Sequence, residues 1–181
     1  MIRRLLALSF ALLVAAGVPA AAQAPAPQKA PTAVIVLEKG GEVALEFWPA
    51  DAPNHVKNFL DLARKGFYDG QRVHRVEPTF VVQFGDPQSK TLPMNDPKMG
   101  TGGPGYTVKA EFNQRPFDRG VLGMARSNDP DSAGSQVYLM LGQAPFLNGK
   151  YTAFGRVTSG MDAVDKIRVG DRIKSIRVAT P

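Results

Sequence analysis

"VHRVEPTFVVQFGDP", residues 73–87, alternates apolar and polar residues on both sides of Glu77, Pro78 and Thr79, the pattern of two short antiparallel strands joined by a turn. The expected register pairs residue 75 with 81 and residue 73 with 83. It puts Val73, Arg75, Val81 and Gln83 on one face and His74, Val76, Val82 and Phe84 on the other. One face is core. The other carries a guanidinium and a side-chain amide framed by valines. That suits a solvent-facing strand, or equally a shallow apolar site with donors at fixed positions, and alternation alone does not separate the two.

Outward from this stretch the chain continues as short strands. "AVIVLEKGGEVALEF", residues 33–47, alternates around Gly40 and Gly41, a hairpin signal. "DAPNHVKNFLDLARKG", residues 51–66, has Asp51 where an N-cap belongs, Pro53 in the first turn and Gly66 at the stop. Val56, Phe59, Leu60 and Ala63 recur there at helical spacing, so this helix presents one apolar stripe to a sheet. A loop dense in glycine and proline runs from Gly85 to about Tyr106. Further strands are expected at 121–124, 137–141 and 152–157, a second helix near 161–169, and a last strand over "RIKSIRVA", 172–179. Many short strands with two helices predict a mainly β fold, an antiparallel sheet closed into a barrel that leaves no edge.

At 181 residues, 44% apolar and 21% charged, the chain suits one globular domain with a sizeable core. Residues 1–22 have the form of a secretory signal: "MIRR" is positive, "LLALSFALLVAAGV" apolar, and "PAAAQA" supplies small residues for cleavage after Ala22. The apolar stretch is short for a membrane span, so no stable span is expected once the signal is removed. "QAPAPQKAPT", residues 23–32, then forms a Pro/Ala-rich linker, and the folded domain covers 33–179. A periplasmic or secreted protein is expected. Cysteine is absent, which excludes disulfides, thiol chemistry and a lipidated cysteine. Of the formal charge of +6, +4 remains without Arg3 and Arg4, a mild excess with no nucleic-acid motif beside it.

Other candidate motifs carry less. "GTGGPG", residues 100–105, matches a dinucleotide fingerprint in form only, since no strand feeds it and no helix follows; it reads as a loop. His55 and His74 are too isolated to form a metal site and read as structural histidines. Ser135 lacks the glycine frame of a nucleophile elbow. Asp129 and Asp131 in "NDPDS" read as a turn. No metal or cofactor is expected.

"FYDGQRVHRVEPTFVVQFGDP", "GTGGPGY", "GVLGMARS", "GSQVYLML" and "FLNGKYTAFGRV" follow one another along the chain. In this order they closely resemble the motifs of the cyclophilin family of peptidyl-prolyl cis/trans isomerases, over roughly residues 33–178. The resemblance implies an eight-stranded antiparallel barrel with a helix closing each end, and proline-containing polypeptides as partners. It makes Arg75 the catalytic arginine and Gln83 a donor to the substrate backbone. Phe80, Val81, Tyr138 and Leu147 would receive the proline ring, with Phe146 at the rim. Ala125, Arg126 and Gln136 would hold the preceding residues, position 126 chiefly through its backbone. Strict alternation sends Phe80 to the core face, so the turn has to open it. Phe146, Tyr151, Val81 and Tyr138 stand where the best-known members have tryptophan, histidine, methionine and phenylalanine. Each keeps an apolar or aromatic body, but the lost indole donor implies weak cyclosporin binding. The alternatives are a module that binds proline segments without catalysis, and a barrel carrying a small ligand in its lumen. Apolar residues on both strand faces weigh against the lumen, because they leave its interior packed.

Overall fold

The computed structural model describes residues 30–179, so the expected signal and most of the linker lie outside the described range. Eight strands form one sheet: β1 (Thr32–Leu37), β2 (Glu42–Phe47), β3 (Arg75–Glu77), β4 (Val81–Phe84), β5 (Val121–Met124), β6 (Val137–Met140), β7 (Ala153–Ser159) and β8 (Ile173–Ala179). Among the described residues two α-helices accompany it, α1 (Pro53–Arg64) and α2 (Met161–Asp165). The strand order is β3-β4-β6-β5-β7-β2-β1-β8, and every pairing is antiparallel. Gly40 and Gly41 turn β1 into β2 with φ of 96° and 99°, a conformation that favours glycine.

The fold is mainly β, but the expected closed barrel is not formed. The sheet curls until β3 and β8 face one another without pairing as strands. Their approaches meet at one isolated bridge, Arg72 with Arg172. Beside it Gly70 N–H donates to Ile173 O at 2.8 Å, and Val73 N–H to Asp171 O at 2.9 Å. The cause is length. β3 has only three residues, and β8 spends its own length on β1.

Inside the curl, Phe47, Phe59, Tyr68, Phe84 and Phe154 form a continuous aromatic core, with ring centroids 5.1 to 6.2 Å apart along the chain of contacts. The predicted stripe of α1 is buried in it. The predicted cap is not formed. Ala52 occupies the N-cap position, while Asp51 pairs with Arg115 at 2.7 Å. Glu111, from a distant loop, accepts from the backbone N–H groups of Asn54 at 3.0 Å and His55 at 2.9 Å instead. The second helix stops at Asp165, short of the expected 169, because Arg168 N–H turns to the Asp171 carboxylate at 2.6 Å and Gly170 bends the chain into the seam at φ 94°.

Candidate active site

The opening hairpin has a register two residues away from the expected one. Arg75 pairs with Gln83, Val76 with Val82 and Glu77 with Val81. Pro78, Thr79 and Phe80 form the turn, closed by Phe80 N–H donating to Glu77 O at 3.0 Å, with Thr79 at φ 62°. A slip of two preserves side-chain parity, so Arg75, Val81 and Gln83 still share a face. Val73 leaves it: before β3 the chain is drawn toward 170–173, and Val73 sits in the core with Val82 and Phe84. His74 leaves the core face for the same reason. The left-handed turn also releases Phe80 outward, as the resemblance required.

On the outer side of β4, β6, β5 and β7 lies a second apolar cluster, including Val81, Phe117, Tyr138, Met140 and Leu147, with Phe80 and Tyr151 packed against it. Both faces of β5 and β6 are therefore covered, which is why those strands are apolar throughout. The cluster floors a cavity of about 310 Å³. Phe80, Val81, Tyr138 and Leu147 line it, and Phe146, 63% exposed, stands at its rim 5.7 Å from Phe80. Arg75, Gln83, Ala125, Arg126 and Tyr151 complete the wall, and the Arg75 guanidinium lies 5.7 Å from the Phe80 ring centroid. A second cavity of about 600 Å³ shares Gln83, Ala125 and Arg126 with the first and adds Gln136 and the 100–107 loop.

The polar side of the cleft has a fixed polarity that can be followed from the backbone. Gln136 Nε2 donates to Gly100 O and Gly102 O, both at 2.8 Å. Only nitrogen can satisfy two carbonyls, so its Oε1 must face the other way, where Gln83 Nε2 donates to it at 3.0 Å. Gln83 Oε1 in turn accepts from Arg75 Nη1 at 3.3 Å. Gln83 thus spends one amide hydrogen on orienting the relay, and the second makes no hydrogen bond among the described residues. Buried Asp86 holds the carbonyls in place, accepting from Gln88 N–H at 2.8 Å and Gly100 N–H at 2.6 Å.

Arg126 and Tyr151 form a stiff side wall. The Arg126 guanidinium stacks 4.3 Å over the Tyr151 ring centroid and donates to the carbonyls of Ser127 at 2.8 Å and Lys150 at 3.0 Å. Tyr151 meets Tyr138 edge-on at 6.3 Å. The Tyr138 ring lies over Gly123, where a Cβ would come within 2.4 Å of it, so this site needs glycine. Burial pushes the Tyr138 phenol well up from its usual range.

The structure therefore gathers all eleven residues singled out from the sequence around two adjoining cavities. Sequence reading missed the parts that support them. The loop 100–105 supplies the two carbonyls that polarise the relay, and nothing in its composition marks that. Asp86 was legible in principle, since Asp before Pro87 is the signature of a capped short helix, seen here as the 3₁₀ turn Pro87–Lys90. His74 proves to lie beneath the Gly100 turn, beside Asp86 and Gln136.

Known proteins agree with this geometry. The family model described as cyclophilin type peptidyl-prolyl cis-trans isomerase/CLD matches residues 33–180. A probable peptidyl-prolyl cis-trans isomerase of Brucella abortus is 44% identical over 178 residues, covering 97% of this chain and 90% of that protein. Peptidyl-prolyl cis-trans isomerase B of Bacillus subtilis is 42% identical over 149 residues, covering 81% of this chain and 97% of that one. Among solved structures, a cyclophilin type peptidyl-prolyl cis-trans isomerase of Cryptosporidium parvum superposes with a TM-score of 0.72 at 26% identity, covering 84% and 99% of the two chains. A structure of that protein in the presence of the dipeptide Ala-Pro gives 0.71 at 26% identity, covering 83% and 99%. Sequence and fold lead to one conclusion: the chain belongs to the cyclophilin-type peptidyl-prolyl cis-trans isomerases.

Proposed function

We propose that Arg75 drives X-Pro rotation in this cleft, with the proline ring held by Phe80, Val81, Tyr138 and Leu147, and that the clients are exported proteins. One observation carries the reading: the Arg75 guanidinium sits at the mouth of the apolar cavity, oriented by Gln83. Rotation breaks no covalent bond and moves no proton. Its barrier of about 18–20 kcal/mol is amide resonance, which falls as the proline nitrogen pyramidalises and recovers its lone pair. A fixed donor aimed at that nitrogen binds the twisted amide better than either planar isomer. A guanidinium suits this role, because it only donates and has no state in which it accepts.

Magnitude shows that Arg75 has help. Raising a step of about 0.01 per second to about 1,000 per second requires about 7 kcal/mol. One charged hydrogen bond contributes roughly 1.5–3 kcal/mol. The remainder is assigned to the free amide hydrogen of Gln83, to exclusion of water by the aromatic wall, and to orientation of the segment in the groove of Ala125, Arg126 and Gln136.

In an exchange assay on an X-Pro tetrapeptide, Arg75→Ala should lower kcat/KM at least about tenfold. Unchanged activity would remove Arg75 from the mechanism. Slow, separate cis and trans NMR signals of a bound peptide would instead mean capture without exchange. Export is supported by the N-terminal signal pattern, and intact mass of the protein from the periplasmic fraction should give Gln23 as the first residue. Cyclosporin should bind weakly, because Phe146 offers no indole N–H, and Phe146→Trp should tighten it.

A further inference from the structure

We propose that His74 is a positioning residue of the cleft, whose neutral imidazole beneath the Gly100 turn keeps the Gln136–Gln83–Arg75 relay aligned and whose protonation uncouples it. The proposal rests on the assignment of that relay to the reaction.

His74 is bound to the relay from below. Its backbone N–H donates to Gln83 O at 3.2 Å. Its Cδ2 and Nε2 lie 3.6 and 3.8 Å from where a Cβ on Gly100 would stand, directly under the peptide whose carbonyl holds Gln136. Both ring nitrogens are buried and without a hydrogen-bond partner among the described residues. The charged groups facing the ring are Asp86, after β4, and Arg75, the next residue and the first of β3, while Gln136 and the Gly100 loop add only neutral groups. Burial, the largest effect, holds the imidazole below its usual 6.5; Asp86 and the Gln136 side chain pull it up, and the charge of Arg75 adds to the lowering.

A proton gained on acidification turns this ring into a cation with two donors. The nearby acceptors are held by other donors, the Asp86 carboxylate by Gly100 N–H at 2.6 Å and Gln136 Oε1 by Gln83 Nε2 at 3.0 Å; each keeps a free lone pair, but neither bonds a ring nitrogen as placed, so a bond to the imidazolium requires the acceptor to move. Movement of Gln136 Oε1 lengthens its bond to Gln83 Nε2 directly, and movement of Asp86 releases the Gly100 turn whose carbonyl holds Gln136; by either route Gln83 loses the orientation that presents Arg75. Rotation of an X-Pro bond transfers no proton, and guanidinium and amide side chains do not titrate near neutrality. An acid limb in the rate profile therefore reports the support beneath the cleft, not the chemistry within it.

The test is kcat/KM on an X-Pro tetrapeptide from pH 8 to pH 5, for the mature chain, His74→Gln and His55→Gln, with circular dichroism confirming the fold at each pH. The mature chain and His55→Gln should lose about fivefold, the equivalent of one hydrogen bond, and His74→Gln should give a flat profile. A flat profile in the mature chain, or a limb that persists in His74→Gln, overturns the proposal. Should His74→Gln not fold, NMR of the mature chain decides: the side-chain amides of Gln83 and Gln136 must shift with the midpoint of the His74 ring nitrogens, and static amides overturn it. Arg75→Ala at pH 8 separates the two readings. Activity that survives there refutes the relay itself, whereas Arg75-dependent activity with a flat profile refutes only the role of His74.

Discussion

At Gln83 one amide does two things, and its neighbours decide which atom does which. The two carbonyls at Gly100 and Gly102 orient Gln136, Gln136 orients Gln83, and Gln83 orients Arg75. Backbone atoms of a loop with no regular structure thus set the aim of a guanidinium on a strand. Tyr138 shows the opposite case, a polar atom with no such arrangement. It is 5% exposed, and its hydroxyl has no partner among the described residues. A buried hydroxyl left unpaired costs about 1–3 kcal/mol. Tyr138→Phe should therefore raise the urea midpoint, equivalent to about 1 kcal/mol of unfolding free energy once the lost packing of the oxygen is counted. A lower midpoint would mean that the hydroxyl has a partner, such as an ordered water.

The helix α1 depends on a residue 47 positions beyond its end, since Arg64 closes the helix and Glu111 caps its start. Glu111 also accepts from His55 Nδ1–H at 2.6 Å, which places the imidazole proton on Nδ1 and leaves Nε2 buried without a partner. Glu111→Ala removes the cap and strands the histidine, and should cost about 2 kcal/mol in denaturant unfolding. Burial holds His55 below its usual 6.5, against the raising effect of Glu111. Burial would raise Glu111, but its bonds to His55 and Asn54 outweigh that and hold it below 4.5. In both cases the unfolded chain takes up protons first. Stability should therefore be complete above about pH 6.5, fall through the histidine window, and fall again below pH 4.5. Urea midpoints from pH 8 to pH 4 check this, and a rise on acidification would contradict the burial of His55. Asp51 looked like the cap in the sequence because it stands in the right place, but local spacing cannot reveal a carboxylate arriving from a distant loop.

Across the whole molecule, the curled sheet is strong where strands are paired and weak where they only approach. The seam between 70–73 and 170–173 is held by one bridge and irregular backbone hydrogen bonds, while β6 is paired on both sides. In native-state hydrogen exchange the amides of Val73 and Ile173 should exchange by local opening, about tenfold or more faster than those of β6. Equal protection would mean that the seam opens only with global unfolding. The sequence by itself determined whatever is written in local period and in long ordered motifs. It determined the mainly β class, the hairpins, the stripe of α1, and through family resemblance the eleven cleft residues. Parity survived even the misjudged register, because a slip of two leaves every side chain on its own face. Only the tertiary structure decided where the sheet stops closing, which carboxylate caps α1, and which carbonyls polarise the cleft. Those outcomes depend on how far the short strand β3 reaches and on groups far apart in the chain, brought to within hydrogen-bonding distance by the curl of the sheet.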